Sequence, residues 1–345
     1  MCNVYIQKSS CISAQATYGN IDLQKVQPFV NARHTAREPS YTQIPNAVLR
    51  RMGKAVRMTV GAVTGLLEQC PQPDAIIVGT ANGGMQDCIR FLNQIMEYNE
   101  GTLTPTNFVQ STPNAIAATI GLNGRNHNYN ITHVHRGNAF ENALLDAQLF
   151  LKENSYAQVL LAGVDEISDY NFNIERLGGW YKDSLPDDLY NSRTTGSLAG
   201  EGVAAYLLSN NATNAVAKIT ALQILTTHDS HEVMQWVRDF IRENIADRDA
   251  LVFLSGHNGD VRFAEDTEKI EALLSDVTLA RFKHFTGEYP TASAVALWLA
   301  TQFVQKDADI PEHFTTSLRQ YRHRQCLIYN HYKFLQHSLM LVEQV

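Results

Sequence analysis

The chain has 345 residues, of which 44% are hydrophobic and 18% charged, enough to bury a sizeable core as two domains or one large α/β unit. A formal net charge of −7 disfavours nucleic acid as the main partner, and no apolar run reaches the roughly 18 residues that a membrane span needs. The cysteines (Cys2, Cys11, Cys70, Cys88 and Cys326) are an odd, scattered set without a CxxC pair. They argue against a disulfide framework and a zinc site, and make a reducing cytoplasm the default setting.

The N-terminal MCNVYIQKSSCISAQ lacks the charged-then-apolar layout of a secretory signal and reads as a first strand, Asn3 to Gln7. Ile44-Pro45-Asn46 opens a helix that the pattern carries to about Glu68. Along it Arg50, Lys54 and Arg57 recur at helical spacing, either as a solvated face or as a docking site for an acidic carrier protein. The apolar run Ala75 to Val78 suits a buried parallel strand and ends in the glycine-rich loop Gly79 to Gly84. Helices follow from about Gln86 to Tyr98 and from Pro113-Asn114 onward. From Asn128 to Leu161 the pattern is strand, turn at Arg136-Gly137-Asn138, amphipathic helix, strand, a βαβ alternation that predicts a sheet covered by helices on both faces. Tyr170 to Arg193 is aromatic and polar without clear periodicity, and reads as an insertion packed near a pocket or interface.

A weak internal repeat stands out. Residues 74–84, DAIIVGTANGG, and 249–260, DALVFLSGHNGD, share Asp-Ala, an apolar strand, a small residue with Gly, and Asn-Gly. Helices flank the second copy, Val233 to Asn244 before it and Glu265 to Leu274 after it. Either two βα units look alike by chance, or the fold is duplicated and each half has a strand ending in a functional loop.

Five segments in order resemble the β-ketoacyl synthase family. GTANGG at 79–84 resembles the family's Gly-Ser-Gly-x-Gly-Gly turn, and STPNAIAATIGLNG at 111–124 the segment before the nucleophile strand. QVLLAGVDE at 158–166 is similar to the Ala-Gly-Gly-x-Glu strand, GSLAGEGVAAYLL at 196–208 to Gly-Phe-Val-x-Gly-Glu-Gly-Ala, and KHFTGEYPTASAVA at 283–296 to Lys-x-x-x-Gly-His-x-x-Gly-Ala-Ala-Gly. The resemblance implies an α/β, thiolase-like duplicated fold in five layers, α-β-α-β-α, with halves at 1–210 and 211–345 packed as one unit. It also implies no cofactor of the chain's own, the substrate being carried on the phosphopantetheine of an acyl carrier protein.

The departures bear on function more than the matches do. The Ala143-Leu144 pair sets a register in which Gly137 stands where the family has its nucleophilic cysteine; a one-residue slip offers only Arg136 or Asn138. Condensation starts by acyl transfer to a thiolate at a helix N-terminus, and none of these three side chains can form a serviceable thioester. Glu288 replaces the histidine that helps stabilise the enolate. At about 4 Å and an effective dielectric near 20, an ionised carboxylate there repels the developing charge by on the order of 4 kcal/mol, roughly a thousandfold in rate. His257 matches the other family histidine and Lys283 the family lysine. Asn330-His331-Tyr332-Lys333 stands in place of the Gly-Phe-Gly-Gly loop that helps form the oxyanion hole and gate.

Other constellations have plainer readings. His127, His133 and His135 could hold a metal but lack acidic or thiol partners at matching spacing. His228-Asp229-Ser230-His231 contains triad residue types in a run that reads as a loop or helix cap. His135 or Glu141 could serve as a general base in VHRGNAF, against a pocket wall in which Arg136 pairs with a neighbour; Glu201 is, by resemblance, a structural glutamate.

The implied role is a chain length factor: a non-catalytic partner of an active, cysteine-containing ketosynthase in aromatic polyketide, aryl polyene or fatty-acid-like biosynthesis. Phe108, Val109 and Gln110 then become candidates for tunnel-limiting positions at the subunit interface. The rivals are an acyltransferase or malonyl decarboxylase working through His257, and a free-standing acyl-binding scaffold.

Overall fold

The apolar runs bounded by turn residues become the strands of one large sheet in the computed structural model, which describes residues 4–345 except 20, 102, 307 and 318–322. Cys2 and Asn3, named above, lie outside the described residues. The first part of the chain runs β1 (Val4–Ile12), β2 (Arg33–His34), α1 (Asn46–Leu49), α2 (Lys54–Leu67), β3 (Ala75–Thr80), α3 (Met85–Glu97), α4 (Pro105–Gln110), α5 (Ala115–Gly124), β4 (Tyr129–Val134), α6 (Ala139–Glu153), β5 (Gln158–Asp165), α7 (Asp169–Leu177), β6 (Ala199–Gly200) and β7 (Gly202–Ser209). The rest runs β8 (Ala217–Thr226), α8 (Ser230–Asn244), β9 (Leu251–Ser255), α9 (Ala264–Ala272), β10 (Thr278–Arg281), α10 (Lys283–Thr286), α11 (Ala292–Phe303), β11 (Thr315–Ser317), β12 (Gln325–Tyr332) and β13 (Gln336–Glu343).

The main sheet has the order β11-β10-β9-β12-β13-β8-β1-β7-β5-β3-β4, while β2 and β6 form a separate small ladder. Its two halves repeat one topology. In β4-β3-β5-β7-β1 the strand β3 is parallel to both neighbours and the last two pairings are antiparallel; β10-β9-β12-β13-β8 does the same around β9. The two segments that look alike in sequence, 74–84 and 249–260, are therefore the equivalent central strands β3 and β9 with the loops that follow them. The halves join where Val4, Tyr5 and Ile6 of β1 pair with Ile219, Lys218 and Ala217 of β8.

Three hydrophobic clusters give the layers. One packs α2 and α5 on the first half of the sheet, a second packs α8 and α9 on the other half, and the largest surrounds α6 and α11 between them. Every residue of α11 except Gln302 is buried, as a helix between two sheets requires. The architecture is α/β in five layers, α-β-α-β-α.

Three local expectations change. The helix expected from Ile44 to Glu68 is two helices, α1 and α2, with Arg50 in the turn between them. Gly53 sits at the start of α2, where a Cβ would lie 2.1 Å from Asp87 Oδ2, so the chain enters α2 against the α3 N-terminus instead of continuing from α1. The stretch 170–193 is not wholly irregular, because α7 occupies its beginning with Ser168 as a capping acceptor for Asn171 N–H. The first strand extends beyond Gln7 to Ile12.

The two outer edges of the sheet differ. β10 is covered by antiparallel β11, whereas no strand among the described residues covers β4, its equivalent in the other half.

Candidate functional site

The strand β4 turns into α6 through Arg136, Gly137 and Asn138, with Arg136 held at φ +47°. The resemblance expects a nucleophile at this helix N-terminus, and the space over Gly137 is filled. A Cβ added to Gly137 would lie 2.3 Å from Tyr332 Cβ and 2.8 Å from its Cγ, inside any van der Waals contact. Tyr332 is the last residue of β12, and its cross-strand partner Gln336 begins β13. The Gln336 side-chain carbonyl accepts the Gly137 N–H at 2.9 Å, while its amide lies 3.3 Å from the His135 carbonyl and 3.2 Å from His135 Nδ1. One hairpin thus supplies both the bulk and the hydrogen-bond acceptor at the start of α6.

Glu288 lies beside Tyr332 on the same small cavity, held by buried partners. Its carboxylate accepts from Lys283 Nζ at 2.9 Å and from Asn258 Nδ2 at 3.1 Å, all three buried. Burial pushes the Glu288 pKa up, and the Lys283 ammonium and the Asn258 hydrogen bond pull against it. Its backbone is tied as well, since Glu288 N–H donates to the Leu198 carbonyl and its carbonyl accepts from Gly200 N–H. Repulsion of a developing enolate, the sequence-level argument, therefore competes with a carboxylate already neutralised by Lys283.

His257 follows β9 and is neutral, burial holding its pKa down at about 4. Its Nδ1 accepts the Gly259 N–H at 3.2 Å, which leaves the proton on Nε2, and that atom has no partner among the described residues. Asn330 Oδ1 and His331 Nε2 on β12 are likewise buried and unpartnered. The cavity between Tyr181, Asn258, Phe263, Glu288 and Tyr332 amounts to ≈ 10 Å³, room for one water molecule and no more.

Three buried carboxylates, two of which the sequence reading passed over, organise the loops around this centre. Asp165, at the end of β5, accepts from Ala81 N–H, Asn82 N–H, the Thr80 hydroxyl and both the N–H and hydroxyl of Thr291. It pins the loop after β3 to the start of α11, and so one half to the other. Glu166 accepts Ala55 N–H from α2 and Gln86 N–H from α3, joining two helix N-termini. Burial lifts its pKa to about 7. Glu201, expected to be structural, accepts from Ala36 N–H, Ile167 N–H and Lys54 Nζ. The Asp-Glu pair lies inside the quoted segment QVLLAGVDE; the apolar strand before it was the only local signal that these acids are buried.

The remaining candidates divide. Lys54 is bound to Glu201, and Arg57 makes two hydrogen bonds to Glu38 at 2.6 and 2.7 Å. Their charges serve the interior, so the expected basic face of Arg50, Lys54 and Arg57 does not exist as a free surface; Arg50 alone of the three is exposed. Gln110 is buried, whereas Phe108 and Val109 on α4 are 59% and 61% exposed in this chain, large apolar groups left facing outward. His133 is engaged by Asp146 at 2.9 Å, and His127 and His135 are exposed. Asp229 caps α8 by accepting His231 N–H, and His228 turns to the Phe334 carbonyl, so that run forms no triad. Glu141 is fully buried in α6 and bound by the Ser338 hydroxyl.

Comparisons with known proteins agree on the fold. A family model described as the N-terminal domain of β-ketoacyl synthases matches residues 24–176. A β-ketoacyl synthase from Burkholderia phymatum STM815 has a TM-score of 0.79 at 13% identity, over 100% of both chains. A ketosynthase in complex with its chain length factor from Xenorhabdus doucetiae has 0.75 at 12%, over 99% of this chain and 98% of that one. A type II polyketide synthase acyl-carrier protein in complex with its ketosynthase, bound to the hexaketide, has 0.74 at 13%, over 100% of both. No curated protein matches.

Proposed function

We propose that the chain, whose residues 24–176 match a family model described as the N-terminal domain of β-ketoacyl synthases and whose fold is that of ketosynthases throughout, is a non-catalytic ketosynthase-like subunit, a chain length factor. It pairs with a cysteine-containing ketosynthase in a type II polyketide, aryl polyene or fatty-acid-like system. The observation that carries this reading is the filled nucleophile position, where Tyr332 leaves Gly137 no room even for a Cβ. Without a thiol at this position, and with a cavity beside it the size of one water, this site has nothing to hold a growing acyl group. The acyl chain and the phosphopantetheine of its carrier protein then belong to the partner's site, and this chain needs no cofactor.

Two surface features support a partner. The bare edge of β4, equivalent to an edge that the other half covers with β11, presents unpaired backbone groups to a further strand. On the same half of the fold, Phe108 and Val109 are exposed apolar groups of the kind an interface covers. In this reading they face the partner's acyl tunnel, and Arg50 with its exposed neighbour Arg51 is what remains for an acidic carrier protein to meet. A reducing cytoplasm is part of the same reading.

The test is co-expression with a neighbouring gene that encodes a cysteine-containing ketosynthase. We expect a soluble 1:1 complex that Phe108→Lys and Val134→Lys disrupt without unfolding this chain, since both side chains are exposed. A stable homodimer that ignores that subunit points instead to a free-standing acyl-binding scaffold. Carbon dioxide release from a malonyl carrier well above background points to a decarboxylase of altered mechanism, and acyl turnover by the purified chain to an acyltransferase.

A further inference from the structure

The tip of the β12–β13 hairpin is strained. Leu335 N–H donates to the Tyr332 carbonyl at 3.1 Å, and the two central residues, Lys333 and Phe334, have φ +56° and +47°. That is a type I′ turn, whose left-handed positions favour Asn and Gly; here they hold a long cation and an aromatic ring. Such a conformation persists only where its surroundings enforce it. The Phe334 ring stacks on Phe263 at 5.5 Å, and the Lys333 ammonium lies 4.5 Å over the Trp180 ring and 2.6 Å from Glu175 Oε2.

Glu175 belongs to α7, and α7 is loosely held. None of its residues is buried; Tyr170, Ile174 and Leu177 are 52%, 68% and 77% exposed, and Phe172 alone of its apolar side chains packs inward, stacked on Tyr181 at 5.9 Å. Its polar ties are few and near the surface: Arg33 to Asp169, Asn93 to Tyr170, Arg176 to Asp183, and Lys333 to Glu175. Elements with so few buried contacts open at lower free energy than the core.

We propose that the hairpin tip is a latched plug: the Lys333–Glu175 ion pair to α7 holds Tyr332 against Gly137, and loosening α7 releases it. Release withdraws the Tyr332 ring, breaks the Gln336 contact to Gly137 N–H and uncovers the α6 N-terminus. The plug and α7 thus form one two-state unit, and whatever displaces α7 opens the remnant site. This holds whether or not a ketosynthase partner exists.

Amide hydrogen exchange on the purified chain tests it, with wild type, Glu175→Ala, Lys333→Met and the double variant. Reporters are the amides of Gly137, Phe334 and Leu335, against those of Ile328 and Met340 deep in the same hairpin. The expected result is three- to tenfold faster exchange at the three reporters, roughly the effect of losing one half-buried ion pair. The double variant is no faster than either single one, and Ile328 and Met340 do not change. Should a variant fail to fold, wild type at molar salt replaces it, because screening of the pair must speed the same three amides alone. The proposal is overturned if the three reporters exchange in step with Ile328 and Met340 under all conditions, or if the two substitutions act additively.

Discussion

Restoring the missing thiol should not restore the site. In Gly137→Cys the new Cβ starts 2.3 Å from Tyr332 Cβ, against about 3.5–4.0 Å for a relaxed carbon–carbon contact. Both atoms are fixed by backbone, one at the start of α6 and one in β12, so no rotamer relieves the overlap. Overpacking of this kind costs about 3 kcal/mol or more. Tyr332→Ala keeps its Cβ and leaves the clash in place, so only Tyr332→Gly removes it, itself losing about 3–5 kcal/mol of buried aromatic packing. The cycle is therefore expected to be strongly coupled: Gly137→Cys/Tyr332→Gly loses about 3 kcal/mol less than the sum of its parts. The assay is the denaturant midpoint of the four proteins, with intact-mass measurement after incubation with an acyl thioester donor. If Gly137→Cys alone folds with wild-type stability and takes up one acyl group, the account of a sealed site is wrong.

The other expectations concern charge and proton balance. Removing one member of the buried Lys283–Glu288 pair, as in Glu288→Gln, should destabilise by about 3–5 kcal/mol, whereas replacing both by Met and Leu should be close to neutral, read from denaturant midpoints. His284 is neutral when folded, burial holding its pKa at about 3 against an unfolded value of 6.5. Its contribution is therefore present above pH 6.5 and lost at about 1.4 kcal/mol per pH unit below it, so the gap between wild type and His284→Gln should narrow from pH 6.5 to 5. Glu166 has the opposite sign: its folded pKa near 7 lies above the unfolded 4.5, so between those values the folded chain keeps a proton that the unfolded chain has released. Stability relative to Glu166→Gln should fall as pH rises through that window, measured by the same midpoints. Finally, Lys54→Met should unfold the chain more readily because it strands the Glu201 carboxylate, while Arg50→Glu should leave the midpoint unchanged and weaken capture by a carrier protein.

What was legible in the sequence follows from the range of the interactions involved. The β3 and β9 strands, the βαβ unit ending in β5 and the helices after each loop are local patterns of burial and turn residues, and they stand where the pattern put them. The turn at Arg136-Gly137-Asn138 was legible for the same reason, and Gly137 does stand at the start of α6, where the resemblance expects a nucleophile. By contrast, nothing near Lys54 or Arg57 reveals Glu201 or Glu38 as their partners, so a helical repeat of cations read as a surface. The break between α1 and α2 was hidden too, because Gly53 packs against Asp87, a side chain on another helix.

The same limit applied to the site, with more at stake. Sequence comparison registers a substitution as a loss, one position at a time. Gly137 lies far in the chain from Tyr332 and Gln336, and only together do they show that a tyrosine fills the space over Gly137. Likewise Glu288 alone reads as a charge that would oppose an enolate, but with Lys283 and Asn258 it is a buried cross-link. In both places the groups are held by buried packing and hydrogen bonds. His257 Nε2 differs, a buried donor with no partner among the described residues. An apolar residue at 257 removes that unpaired donor but strands the Gly259 N–H that Nδ1 accepts, each worth about 1–3 kcal/mol, so His257→Leu should leave the denaturant midpoint nearly unchanged, whereas the same change at Lys283 alone should lower it.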